Sequence, residues 1–81
     1  MSKEIHVAYY ALLRQERGLS DETVEFEKNT VRELFNMLKA LHGFRLTESQ
    51  IKVAVNSKVA NWETPLYEGD SVVFIPPVAG G

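Results

Sequence analysis

The chain has 81 residues, 44% of them apolar, which fills one small core without covalent staples and makes a single domain. It carries no Cys, so a disulfide framework, a thiolate nucleophile and a cysteine-ligated metal are excluded, and sulfur chemistry could not use a cysteine persulfide on this chain. A net charge of −2, with no basic stripe interleaved with aromatics, excludes a strongly basic nucleic-acid binder.

The elements follow in chain order. Ile5, Val7 and Tyr9 alternate with His6, Ala8 and Tyr10, which predicts a strand over Glu4 to Tyr10. Ala11 to Arg17 reads as a short helix stopped by Gly18. Thr23 to Glu27 alternates again as a second strand, with Val24 and Phe26 inward, and the acidic cluster Asp21, Glu22, Glu25 and Glu27 reads as a solvated turn and strand face. Thr30 opens the one long helix: Thr30-x-x-Glu33 is a capping box, and Gly43 stands where a left-handed C-cap belongs. Val31, Leu34, Leu38 and Leu41 form the expected core stripe, with Phe35 and Met37 on its flanks. Ile51 to Asn56 is a third strand, turning at Asn56-Ser57-Lys58 into a short edge strand near Val59 to Asn61. Thr64 to Asp70 is a loop, and Ser71 to Ile75 is the last strand, ended by Pro76, which cannot extend a ladder.

His6 and His42 are too few and too far apart for a metal site, so none is expected. No apolar run reaches the roughly 18 residues of a membrane span, and the N-terminus runs into a strand and not into a signal-peptide core. No membrane or nucleic-acid partner is expected, and the expected location is the cytoplasm.

One long helix covers one face of such a sheet, so the other face should be polar if it meets water. It is not fully polar. With Val72 and Phe74 packed inward, Val73 and Ile75 point outward with Tyr10, and Val59 adjoins them. Such a patch is expected to bind another protein. A reversed assignment of the two faces, or a loop over the patch, would remove it.

The sequence finishes Phe74-Ile75-Pro76-Pro77-Val78-Ala79-Gly80-Gly81. A strand-like run passes into a stiff Pro-Pro and then into residues with small or absent side chains. The expectation is a domain over residues 1–75 and a flexible, extensible C-terminal arm over residues 76–81, carrying the carboxylate of Gly81 as its one distinctive reactive group.

The strand-helix order with this ending resembles the ubiquitin-like β-grasp superfamily, an α+β fold with a mixed sheet packed on one main helix. More narrowly it resembles the sulfur-carrier small subunits of molybdopterin synthases. The matching segments are Tyr9-Tyr10-Ala11-Leu12-Leu13-Arg14, Val53-Ala54-Val55-Asn56, Leu66-Tyr67-Glu68-Gly69-Asp70 and Val73 through Gly81. The resemblance implies that a ubiquitin-activating-type adenylyltransferase uses ATP to adenylate Gly81. A sulfur donor then converts the adenylate to a thiocarboxylate. The arm of Pro76, Pro77, Val78, Ala79 and Gly80 enters the synthase large subunit, where the sulfur passes to cyclic pyranopterin monophosphate, in a heterotetramer. Tyr10, Val59, Val73 and Ile75 would form the partner interface. Arg14 matches a recurrent basic position, and a solvated helix charge explains it equally well. The chain itself would bind no cofactor and would be a sulfur-donor subunit, with the active site on its partner. A carrier for thiamine or cysteine synthesis, a protein modifier joined to lysines through Gly81, and a β-grasp interaction module with an idle tail remain open alternatives, because the tail chemistry is shared as far as the adenylate.

Overall fold

A computed structural model describes residues 2–77 of the chain. The elements are β1 (Lys3–Tyr9), α1 (Ala11–Arg17), β2 (Asp21–Phe26), α2 (Val31–His42), β3 (Lys52–Val55), β4 (Lys58–Ala60) and β5 (Ser71–Ile75), with a 3₁₀ turn at Glu48–Gln50. The strands form one sheet in the order β2-β1-β5-β3-β4. β1 and β5 run parallel at its centre, and the remaining pairs are antiparallel. This is the expected α+β arrangement of a mixed sheet packed on one main helix.

Period-two alternation decides which face of each strand meets α2. Ile5, Val7 and Tyr9 of β1 and Val72 and Phe74 of β5 are all 1% exposed or less. Val24 of β2 is only half-buried, because β2 lies at the sheet's edge. α2 starts at the expected cap: Thr30 Oγ1 accepts from the Glu33 amide at 3.3 Å, and Glu33 Oε1 accepts from the Thr30 and Asn29 amides at 3.1 and 3.0 Å. Two further amides of its first turn, Val31 and Arg32, donate to the Thr64 and Trp62 carbonyls at 3.0 Å each, which ties the helix to the loop after β4. Gly43 ends the helix at φ 68°, a backbone angle that favours glycine.

The core stripe of α2 is Val31, Leu34, Phe35 and Leu38. Two details correct the sequence expectation. Phe35 is 1% exposed and central, whereas Leu41 is 67% exposed. Beyond the helix end the chain returns Phe44 to the core, where its ring lies 5.8 Å from Tyr9 and 6.3 Å from Phe35, leaving the last turn nothing to cover. Phe35 and Trp62 also flank Phe74 at 5.4 and 6.2 Å, and this aromatic cluster anchors β5 from below.

Candidate functional site

The sheet's second face carries the candidate site, and the register builds it. Ala8 of β1 lies opposite Val73 of β5, Val73 opposite Ala54 of β3, and Ala54 opposite Val59 of β4. Side chains opposite one another share a face, so these four form one apolar row across four strands. None of them faces α2. Val59 is 95% exposed, and the small side chains of Ala8 and Ala54 keep the row low.

Beside this row, toward the end of β5, stand Ile75 at 44% exposure and Tyr10 at 51%. Tyr10 keeps an extended backbone (φ −127°, ψ 154°), so it stays on the outer face, and continuing the β1–β5 register sets it next to Ile75. Ala11 follows at φ 50°, and this left-handed step turns the chain out of the sheet into α1. The structure therefore brings Tyr10, Val59, Val73 and Ile75 onto one face, as the sequence predicted. It adds Ala8 and Ala54 to them, and Lys52 opposite Ile75. Ala54 was readable as a strand residue, but only the pairing register places it between Val73 and Val59.

Polar groups border the row on the other side. His6 Nδ1 lies 2.9 Å from Thr23 Oγ1. The Asn56 side chain donates to Asp70 Oδ1 at 2.9 Å and accepts from the Ser71 amide at 2.9 Å, which fixes the β3–β4 turn against the start of β5.

Because β1 and β5 are parallel, both finish at the same end of the sheet. α1, with exposed Arg14, begins where β5 passes into the Pro-Pro segment. Pro76 is buried and Pro77 exposed, so the domain's packing reaches one residue past the boundary expected at Ile75. Ile51, Lys52, Ile75 and both prolines line a depression of about 340 Å³ there. Val78, Ala79, Gly80 and Gly81 lie outside the described residues.

A charged network braces this end from beneath. Tyr9 Oη donates to Glu22 Oε2 at 2.6 Å, and Arg17 makes a two-pronged contact with the same carboxylate, 2.8 Å on each prong. It joins β1, the last turn of α1 and β2. Burial, then the neighbouring carboxylate, push the Tyr9 hydroxyl well above the ordinary tyrosine range. The Arg17 hydrogen bonds hold Glu22 below the usual carboxylate value. Among the described residues, no group of His, Asp and Glu side chains is placed to hold a metal ion. No helix among them is long and apolar enough to cross a membrane.

Residues 7–81 match the ThiS family. The chain is 31% identical over 80 residues to the molybdopterin synthase sulfur carrier subunit of Escherichia coli K12, covering 95% of this chain and 99% of that one. The structure is similar to a putative molybdopterin converting factor subunit 1 from Pyrococcus furiosus, with a TM-score of 0.81, 31% identity, and coverage of 95% and 100%. It is also similar to a chain in the complex of subunits 1 and 2 of the molybdopterin-converting factor from Helicobacter pylori, with a TM-score of 0.64, 25% identity, and coverage of 96% and 99%. The architecture is the ubiquitin-like β-grasp.

Proposed function

The chain belongs to the ThiS family, and on that premise we propose that it is the cytoplasmic sulfur-carrier small subunit of a molybdopterin synthase, acting through the carboxylate of Gly81. The observation that carries this reading is the outward-facing apolar row from half-buried Ala8, Val73 and Ala54 to exposed Val59, joined by exposed Tyr10 and Ile75 at the end of the sheet where the chain enters its Pro-Pro segment. A docking face next to the reactive segment is what a carrier needs, since it must visit an activating enzyme and then an acceptor with the same surface. The likeness to the Escherichia coli carrier over almost all of both chains supports the same assignment.

In this proposal a carboxylate, a poor electrophile, gains a leaving group. A Gly81 carboxylate oxygen attacks the α-phosphate of ATP on the adenylating enzyme, pyrophosphate leaves, and an acyl-adenylate forms. Hydrosulfide supplied by the donor attacks the acyl carbon, the acyl–phosphate C–O bond breaks and AMP departs, leaving a thiocarboxylate on Gly81. With a persulfide donor, the acyl disulfide formed first releases the same thiocarboxylate when a thiol attacks the donor's sulfur and breaks the S–S bond. Gly80 and Gly81 lack Cβ atoms and so suit a narrow channel in the large subunit. Pro76 and Pro77 restrict the segment before binding, which lowers the ordering cost of insertion. The sulfur then passes to cyclic pyranopterin monophosphate in two deliveries, from two carriers.

The Gly-Gly chemistry is common to carriers of other pathways and to protein modifiers, so the test lies in the acceptor. The purified chain is charged with the activating enzyme, ATP and a sulfur source, then mixed with a molybdopterin synthase large subunit and cyclic pyranopterin monophosphate. Molybdopterin formation is the expected result. A charged chain that neither binds the large subunit nor yields molybdopterin would overturn the assignment.

A further inference from the structure

The opposite edge of the sheet carries a second feature that the sulfur-carrier reading leaves unused. β2 pairs only with β1. The Tyr9 amide donates to the Ser20 carbonyl at 2.8 Å, and the register continues through Val7 with Glu22, Ile5 with Val24 and Lys3 with Phe26. Hydrogen-bonded pairs alternate along an antiparallel ladder, so the amides and carbonyls of Asp21, Thr23 and Glu25 point away from the sheet. No described residue hydrogen-bonds to them.

Beside this edge, between the end of β2 and α2, lies a groove of about 510 Å³. Phe26 and half-buried Met37 line it, with Glu25, Glu27, Glu33 and Lys28. Asp21, Glu25 and Glu27 have no ion-pair partner among the described residues. A strand laid along β2 would point alternate side chains to the two faces of the sheet. Those on the helix side meet the half-buried Met37, since Phe26 behind it is fully buried, and those on the outer side lie beside Asp21, Thr23 and Glu25.

We propose that the free edge of β2 and the adjoining groove bind an extended segment of alternating apolar and basic residues from a partner protein, as an added strand. Backbone hydrogen bonds to Asp21, Thr23 and Glu25 hold it, and side-chain alternation gives specificity. A second copy of this chain is the wrong occupant. Pairing β2 with β2 would bring the Asp21 and Glu25 carboxylates of two chains together, and like charges across a ladder repel. The apolar row begins on β1, where Ala8 lies opposite Asp21, and runs from there toward β4, so the outward hydrogen-bonding edge of β2 borders the face assigned to the synthase partner without being part of the row.

The test titrates isotope-labelled protein with a short synthetic peptide of alternating valine and lysine, read by amide shifts and hydrogen exchange. The proposal expects new exchange protection at the Thr23 and Glu25 amides. It expects weak or no binding by a peptide of the same composition with its valines and lysines in separate blocks. Thr23→Pro removes an outward donor without breaking the β1 ladder and should abolish the protection. In case that variant fails to fold, the double substitution Glu25→Lys with Glu27→Lys serves alone: it should weaken the valine-lysine peptide about tenfold and gain binding to a valine-glutamate peptide. Equal binding by the blocked peptide, or shifts without protection at Thr23, would reduce the effect to charge attraction and overturn the proposal. Self-association through β2 in sedimentation experiments would overturn it in favour of a second copy.

Discussion

Ile75 offers the most informative perturbation of the docking face. It is 44% exposed, with the rest of its side chain already packed. Fully burying an isoleucine is worth about 1.5–3 kcal/mol. Covering the exposed part with a partner is therefore worth about 1 kcal/mol, and Ile75→Ala should weaken large-subunit binding about fivefold. Ile75→Glu is harsher, because an unpaired carboxylate under a covered apolar row costs about 3 kcal/mol or more. Lys52, opposite on β3, offsets part of that cost, which leaves an expected loss of about thirtyfold or more. The same substitution gives up only about 1–2 kcal/mol of folding stability, since just part of the side chain is packed. Val59→Ala serves as the companion: at 95% exposure it holds almost nothing in the fold, so its effect falls on binding alone. Calorimetric titration against the large subunit, with circular dichroism on each variant, separates the two quantities. A folded Ile75→Glu protein with unchanged affinity would remove this face from the interface.

Three further outcomes concern the scaffold beneath the site. Tyr9→Phe should cost about 1.5 kcal/mol in urea unfolding at unchanged slope, because it deletes a hydrogen bond to a charged carboxylate that keeps its Arg17 partner. Glu22 and Glu33 both titrate below their ordinary value when folded, so the unfolded chain binds more protons in acid. Their stabilisation is complete above about pH 5 and falls as pH drops through the unfolded glutamate value of about 4.3 and below. Glu22→Gln should flatten that decline in pH-dependent thermal melts. Asn56 and Ser57 have φ of 52° and 69°, the two left-handed positions of the tight β3–β4 turn, and Ser57→Gly should raise stability by about 0.5–1 kcal/mol in thermal melts.

The fold was largely legible because its signals are local. Alternation at Ile5, Val7 and Tyr9, the Thr30–Glu33 cap, and the stops at Gly18, Gly43 and Pro76 each depend on neighbouring residues. The errors arose where distant segments decide. Leu41 matches the helical period, yet Phe44 from beyond the helix takes the core position. The 3₁₀ turn had a readable Thr47-x-x-Gln50 cap, with Gln50 Oε1 accepting from the Thr47 amide at 3.0 Å, but its three residues carry no periodic pattern. The outer-face residues Tyr10, Val73 and Ile75 followed from inside-outside alternation, and Val59 from the family resemblance. The inclusion of Ala54 and the groove beside β2 depend on strand order and register, which a single sequence does not encode locally.

The most direct test of the carrier assignment is intact-protein mass spectrometry after incubation with the activating enzyme, ATP and a sulfur source. The chain ending at Gly81 should gain a mass corresponding to one oxygen replaced by sulfur, located to Gly81 by fragmentation. A variant with one extra residue after Gly81 should gain nothing, because a peptide bond then replaces the carboxylate that must be adenylated. Sulfur transfer by the extended variant without prior trimming, or sulfur found on any residue other than Gly81, would contradict the carboxylate mechanism.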